Sequence, residues 1–239
     1  MWQSHLHSQP PNAPLFFGDF ATDKNLYTEA SLNGFDAWLG PGTILTVPAL
    51  FEGELSRPVY FPKSSDKDES LYFDLHAPNN SHKAGTTATI STPLEHFGLF
   101  AREGSVIPVG KPKATVTQKE GPARTHTDGV DVVLEEDGGM VALDDWRGVK
   151  LFPGEKGEYT GEWIEDDGIS MKPAKSVIEV KYTATSDHVT VEARWKEHEF
   201  KTLWGSEIHV ILPIKDSRKV KGAKQVAYGE RSAWVVTVA

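Results

Sequence analysis

Cysteine is absent from the 239-residue chain, which excludes disulfides, thiolate nucleophiles and thiolate metal sites together. No run approaches the roughly 18 consecutive apolar residues a membrane-crossing helix needs, so no membrane partner is expected. Cations are in deficit: 25 Lys and Arg face 34 Asp and Glu, a formal charge of −9. Phosphate backbones are held by clustered cations, and here the cations are scattered, so nucleic acid is not an expected partner either. The opening MWQSHLHSQPPNAP has no basic n-region and no apolar h-region, so it does not read as a secretory signal, and the compartment stays unassigned. There is no P-loop, GxGxxG, GxSxG elbow or HExxH; Lys196-Glu197-His198-Glu199 lacks the second histidine. No cofactor is expected.

What is present is a globular composition, 38% apolar and 25% charged. Pro14–Phe20 reads as a short buried strand. From Leu26 to Leu39 the spacing of Leu32, Phe35 and Leu39 predicts a helix, with Asp23 as N-cap and Gly40-Pro41 as the stop. From Thr43 onward the period becomes two. Val59 and Phe61, then Leu71, Phe73 and Leu75, then TTATIST (86–92) read as strands separated by Gly, Pro, Asn and Ser. Ile178, Val180, Tyr182 and Ala184 share one face; Thr185-Ser186-Asp187 turns the chain; Val189, Val191, Ala193 and Trp195 share the facing one, a hairpin. Ile208, Val210, Leu212 and Trp234, Val236, Val238 repeat the pattern. Strands punctuated every 8 to 12 residues or so indicate β-sandwiches, with a boundary near Gly110–Pro112.

Three carboxylate clusters stand out: Glu135-Glu136-Asp137, Asp144-Asp145 and Glu165-Asp166-Asp167. Such clusters can bind calcium or transfer protons, but Asp before Gly more often marks a tight turn. Glu165, Asp166 and Asp167 are the best weak metal candidates, anchored by Trp163 and Ile164. His5 and His7 lack a third ligand nearby, and Ser64 and Lys67 match SxxK in a loop. Of seven tryptophans, Trp163, Trp195 and Trp234 read as core; Trp204 is the weak candidate for an exposed, sugar-stacking indole. Asn79-Asn80-Ser81 forms a glycosylation sequon. In HFGLFAREGSVIPVG (96–110), Arg102 and Glu103 interrupt an apolar run. As neighbours in a strand they point to opposite faces and cannot serve one site from the same side.

Three stretches, PLFFGDF, then FDAWLGPGTILTVPALFEGELSRPVYFP, then TPLEHFGLFAREGSVIPVG, resemble in order and spacing the C-terminal part of glycoside hydrolase family 31, the α-glucosidases and α-xylosidases. Arg57 and Tyr60 within RPVYFP, and Arg102 and Glu103 within FAREGS, carry the structural signature. Trp163–Gly168 is similar to the family's distal EDDG loop, whereas Ala37 replaces the family's usual Gln. The resemblance covers the chain from about Pro14 but only the last third or so of a family member. It implies a mainly β fold of two β-sandwich domains preceded by the last βα unit of a (β/α)8 barrel. Residues 1–39 would be the barrel remnant, 40–112 the proximal sandwich and 113–239 the distal one. Without the rest of its barrel, Leu15, Phe16, Phe17 and Phe20 would lack partners, and the first forty residues would be disordered or dock on a separate chain. The family's catalytic aspartates are not found; no Asp-Met pair occurs among Met1, Met140 and Met171. A retaining glycosidase needs two carboxyl groups about 5 Å apart. The expected role is therefore a non-catalytic, barrel-supporting portion of an enzyme acting on an α-linked glucoside or xyloside. The alternatives are a stand-alone carbohydrate-binding sandwich and an independent enzyme using an acidic cluster.

Overall fold

A computed structural model describes residues 10–32, 35–40, 42–77, 80–93, 97–110, 132–134, 140–142, 146–167, 170, 172–229 and 231–239. The first part contains β1 (Asn12–Pro14), β2 (Ala37–Leu39), β3 (Ile44–Val47), β4 (Ser56–Tyr60), β5 (Leu71–Asp74), β6 (Ser81–Lys83), β7 (Thr87–Ser91) and β8 (Gly98–Arg102). A six-stranded sheet in the order β1-β2-β3-β8-β5-β6 faces the two-stranded β4–β7 ribbon. Alternation places Leu45 and Val47 on the covered face, with Val59 and Phe61 opposite, all at most 1% exposed. Phe61 stacks on His82 at 4.5 Å and meets Phe100 edge-on at 5.1 Å. Burial lowers the His82 pKa, favouring the neutral ring that such a core tolerates.

The strand–helix unit expected over residues 14–39 is not what forms. β1 pairs antiparallel with β2, and β2 with β3, so both join the sandwich sheet. Among the described residues of this stretch, helix is limited to 3-10 turns at Gly18–Phe20 and Lys24–Tyr27 and to α1 (Glu29–Leu32). Asp23 does act as an N-cap, accepting from Asn25 N at 3.1 Å, but on the 3-10 turn. Phe35 has φ 53°, which no right-handed helix accommodates. Ala37, Trp38 and Leu39 then alternate half-buried, buried and exposed, the period of a strand. The first residues described are also not without partners. Leu15 and Phe20 are buried, and Trp38, fully buried, donates its indole N–H to Leu15 O at 3.1 Å.

The second part contains β9 (Val106–Val109), β10 (Val132–Leu134), β11 (Met140–Ala142), β12 (Gly148–Leu151), β13 (Gly157–Glu165), β14 (Ser176–Ala184), β15 (His188–His198), β16 (Glu207–Ile211), β17 (Lys219–Val220), β18 (Lys224–Tyr228) and β19 (Arg231–Thr237). A five-stranded sheet, β18-β19-β16-β12-β9, packs on a four-stranded one, β13-β14-β15-β17. The predicted hairpin is β14–β15, with Ile178 opposite Trp195, Val180 opposite Ala193 and Tyr182 opposite Val191. Their inward faces meet Val149, Leu151, Ile208 and Val210 in one core. Burying an aliphatic side chain of this size contributes roughly 1.5–3 kcal/mol. β8 pairs with β3 and β5 and β9 with β12, so the chain changes sheets between Arg102 and Val106.

Candidate functional site: the joint between the sandwiches

The change of sheets is made by Glu103-Gly104-Ser105. Gly104 adopts φ 88°, and a Cβ there would stand 2.8 Å from the Tyr159 ring, so the turn needs glycine on both counts. Its backbone N–H donates to Phe152 O at 2.9 Å, while Glu103 N donates to Leu71 O at 2.7 Å.

At the start of this turn the two charged residues part company, as adjacent positions must. Arg102 stays with the first sandwich. Its Nη2 donates to Asp68 Oδ2 at 2.8 Å and to Ser70 Oγ at 3.1 Å, and its guanidinium lies 5.3 Å from the Phe20 ring. Burial pushes the Asp68 carboxyl up. Hydrogen bonds from Ser64 and Ser70, with the Arg102 charge, outweigh it and hold the group well below the usual range. Glu103 reaches the other way. Its Oε1 accepts from Tyr159 Oη at 2.7 Å, and its Oε2 from Leu71 N at 3.1 Å. One carboxylate thus holds the first sandwich by a backbone N–H and the second by a phenol. Burial, then the Glu103 hydrogen bond and charge, push the Tyr159 phenol up to about 12.

Arg57 and Tyr60 brace the first sandwich. Arg57 shares the buried face of β4 with Val59, and a charge there needs a partner. It forms a two-pronged ion pair with Asp36, side chains 6% and 8% exposed, and donates Nε to Pro48 O at 3.0 Å. Burial raises the Asp36 pKa despite Arg57. Tyr60 donates to Asp23 Oδ2 at 2.8 Å, accepts from Asn25 Nδ2 at 3.0 Å, and is pushed up to about 12, mainly by burial.

Glu165, Asp166 and Asp167 do not converge. Glu165 pairs with Arg147 at 2.7 Å and accepts from the Trp163 indole at 2.8 Å, whereas Asp167 caps a turn by accepting from Ser170 N at 2.9 Å. Among the described residues no group of three or more His, Asp or Glu is placed to hold a metal ion. Trp204, the weak candidate for an exposed indole, is buried and stacks on Trp195 at 5.5 Å; the large apolar residue that the turn exposes is Leu203. Ser64 Oγ donates to Asp68 at 2.9 Å, so the SxxK match is a turn. Asn79, His5, His7, Glu135–Asp137 and Asp144-Asp145 lie outside the described residues.

A cleft of about 740 Å³ opens beside the joint, lined among others by Thr43, Ser70, Arg102, Glu158, Tyr159 and Glu162. Its charged groups are largely committed: Arg102 to Asp68, Glu103 to Tyr159, and Glu162 to Lys196 at 2.8 Å. The arrangement holds two sandwiches together through Glu103. Sequence reasoning missed Asp68 and Tyr159, which lie 34 and 56 residues from their partners.

A family model described as the glycosyl hydrolase family 31 C-terminal domain matches residues 8–107. Glucoamylase 1 of Schwanniomyces occidentalis is 32% identical over 123 residues, 49% of this chain and 12% of that protein. Alpha-glucosidase of Mucor javanicus is 29% identical over 150 residues, 63% of this chain and 14% of its own. The chain therefore spans less than a sixth of either relative. Among solved structures, the Flavobacterium johnsoniae GH31 dextranase complexed with glucose matches with a TM-score of 0.63 at 18% identity, over 96% of this chain and 24% of that one. The Xanthomonas citri GH31 α-xylosidase matches with a TM-score of 0.57 at 16% identity, over 89% and 19%.

Proposed function

We propose, from the match of residues 8–107 to the glycosyl hydrolase family 31 C-terminal domain, that the chain is the C-terminal part of a family 31 enzyme and a non-catalytic, supporting portion of an α-glycosidase. In the complete enzyme the chemistry would be retaining hydrolysis of an α-linked glucoside or xyloside. The carboxylate pair about 5 Å apart that such hydrolysis needs would lie in a barrel outside these residues.

One observation carries the supporting role. β2 begins, β3 ends and β8 begins at one end of the six-stranded sheet, and Arg57 at the start of β4 reaches Asp36 and Pro48 there, so β4 begins and β7 ends at the same end. Beside those strand termini Phe35, Phe51, Leu55 and Phe97 are 74%, 74%, 70% and 50% exposed. Four large apolar side chains gathered at one end exceed the scattered exposure a finished surface tolerates. Their occupant would be the catalytic barrel, in the same polypeptide or as a separate chain. The stand-alone carbohydrate-binding reading loses its original candidate with the burial of Trp204.

The test is exposure of that end in the isolated chain. An apolar fluorescent dye should bind it, and the charged double variant Phe51→Asp with Leu55→Asp should abolish binding without lowering the melting temperature. Dye silence in the parent chain would mean an ordinary solvated end and would remove the supporting role.

A further inference from the structure

The outer face of the five-stranded sheet carries aromatic rings that its core does not use. Ile208, Val210 and Trp234 point into the core, so His209, Val235 and their register partners point outward. Trp146, just before β12, lies across Gly148: a Cβ at that glycine would come within 2.5 Å of the indole Cη2. A bare backbone at that position is what lets the ring rest on the sheet. His209 is the register partner of Gly148, and its ring lies 5.1 Å from Trp146. The Tyr228 ring runs parallel to that of Trp146, centroids 5.8 Å apart and planes only 3° apart. All three rings are partly exposed.

Two cations flank this row. The Arg231 guanidinium lies 6.0 Å from the Tyr228 ring, and Lys150 occupies the same outward face of β12. Burial, and then the charge of Arg231, lower the Lys150 pKa. Among the described residues neither Lys150 nor Arg231 has a hydrogen-bonding or carboxylate partner.

The geometry points to a glycan platform on the second sandwich, with an α-linked glucan lying across Trp146 and Tyr228. The C–H faces of successive sugars would cover the rings, while Lys150 and Arg231 donate to hydroxyl oxygens. A polyhydroxylated ligand fits better than a protein surface. Most of the largely exposed aliphatic and phenyl groups that protein docking uses lie on the first sandwich, and the two on the second, Leu203 and Ile214, are outside this row, whereas this face offers flat rings edged by donors. The choice of an α-linked glucan rests on the proposed function; the platform itself does not.

Titration calorimetry of the full chain with maltoheptaose, and separately with cellohexaose, tests it. Saturable maltoheptaose binding, little changed by added salt, is expected. Tyr228→Ala should weaken it up to about tenfold, the loss of one aromatic contact worth about 0.5–1.5 kcal/mol. Trp146→Phe, which keeps a ring over Gly148, should weaken it less, and both variants should melt near the parent temperature. Absence of saturable binding to either sugar, or undiminished binding by Tyr228→Ala, would overturn the platform. Binding of cellohexaose alone would overturn the α-glucan assignment and leave the supporting role, read by dye binding at the other sandwich, untouched.

Discussion

Removing one hydroxyl at the joint should uncouple the two sandwiches. In Tyr159→Phe the ring keeps its packing against Tyr182, whose centroid lies 4.8 Å away. The donor to Glu103 Oε1 at 2.7 Å and the acceptor for Gly154 N at 3.2 Å are lost. A hydrogen bond to a charged group contributes about 1.5–3 kcal/mol. Both partners are partly exposed, so about 2 kcal/mol is expected, which for a chain of this length lowers the melting temperature by roughly 4–8 °C. Calorimetry should show the parent melting as one transition and the variant as a broader or split one, because Glu103 then holds only the first sandwich. pH gives a second readout. The Tyr159 pKa is raised to about 12 in the fold, against about 10 unfolded. The stability this adds is fully present below about pH 10 and is lost as pH rises towards 12. The gap between parent and variant should close across that range. An unchanged melting temperature with an unchanged transition shape would refute the joint.

Two further outcomes follow from the ion pairs of the first sandwich. Asp68→Asn strands Arg102 and should cost about 2–3 kcal/mol at neutral pH by urea titration. Because the folded Asp68 pKa is depressed, its contribution is present above the unfolded value of about 3.9 and is lost as pH falls below it. A gap that stays constant into strong acid would contradict the assignment. Arg57→Ala leaves the Asp36 carboxylate buried without a cation and should cost about 3–5 kcal/mol, part of it recovered when Asp36→Ala is added. A double variant no more stable than the single one would show that the pair is not coupled.

The hairpin β14–β15 was legible because alternation over eighteen residues admits one register, and Ile178 to Trp195 is the pair it dictates. The helix over 26–39 was misread for a related reason. Leu32, Phe35 and Leu39 match the helical period, yet all three are exposed, and the buried residue is Trp38 between them. Only pairing with β1 and β3 decides that segment, and pairing is not local. Trp204 shows the same limit: the turn exposes Leu203 and buries its neighbour, a choice made by Trp195 across the core. For Arg102 and Glu103 the opposite orientations could be read from strand geometry alone. Their partners could not, because Asp68 arrives from a distant turn and Tyr159 from the other sandwich.

The proposed role, support of catalysis without its performance, is open to one direct test. Prolonged incubation of the purified chain with p-nitrophenyl α-glucoside and α-xyloside measures that directly. The account predicts no nitrophenol release above a buffer control. Turnover by the chain alone, lost when Asp166 and Asp167 are changed to Asn, would contradict it.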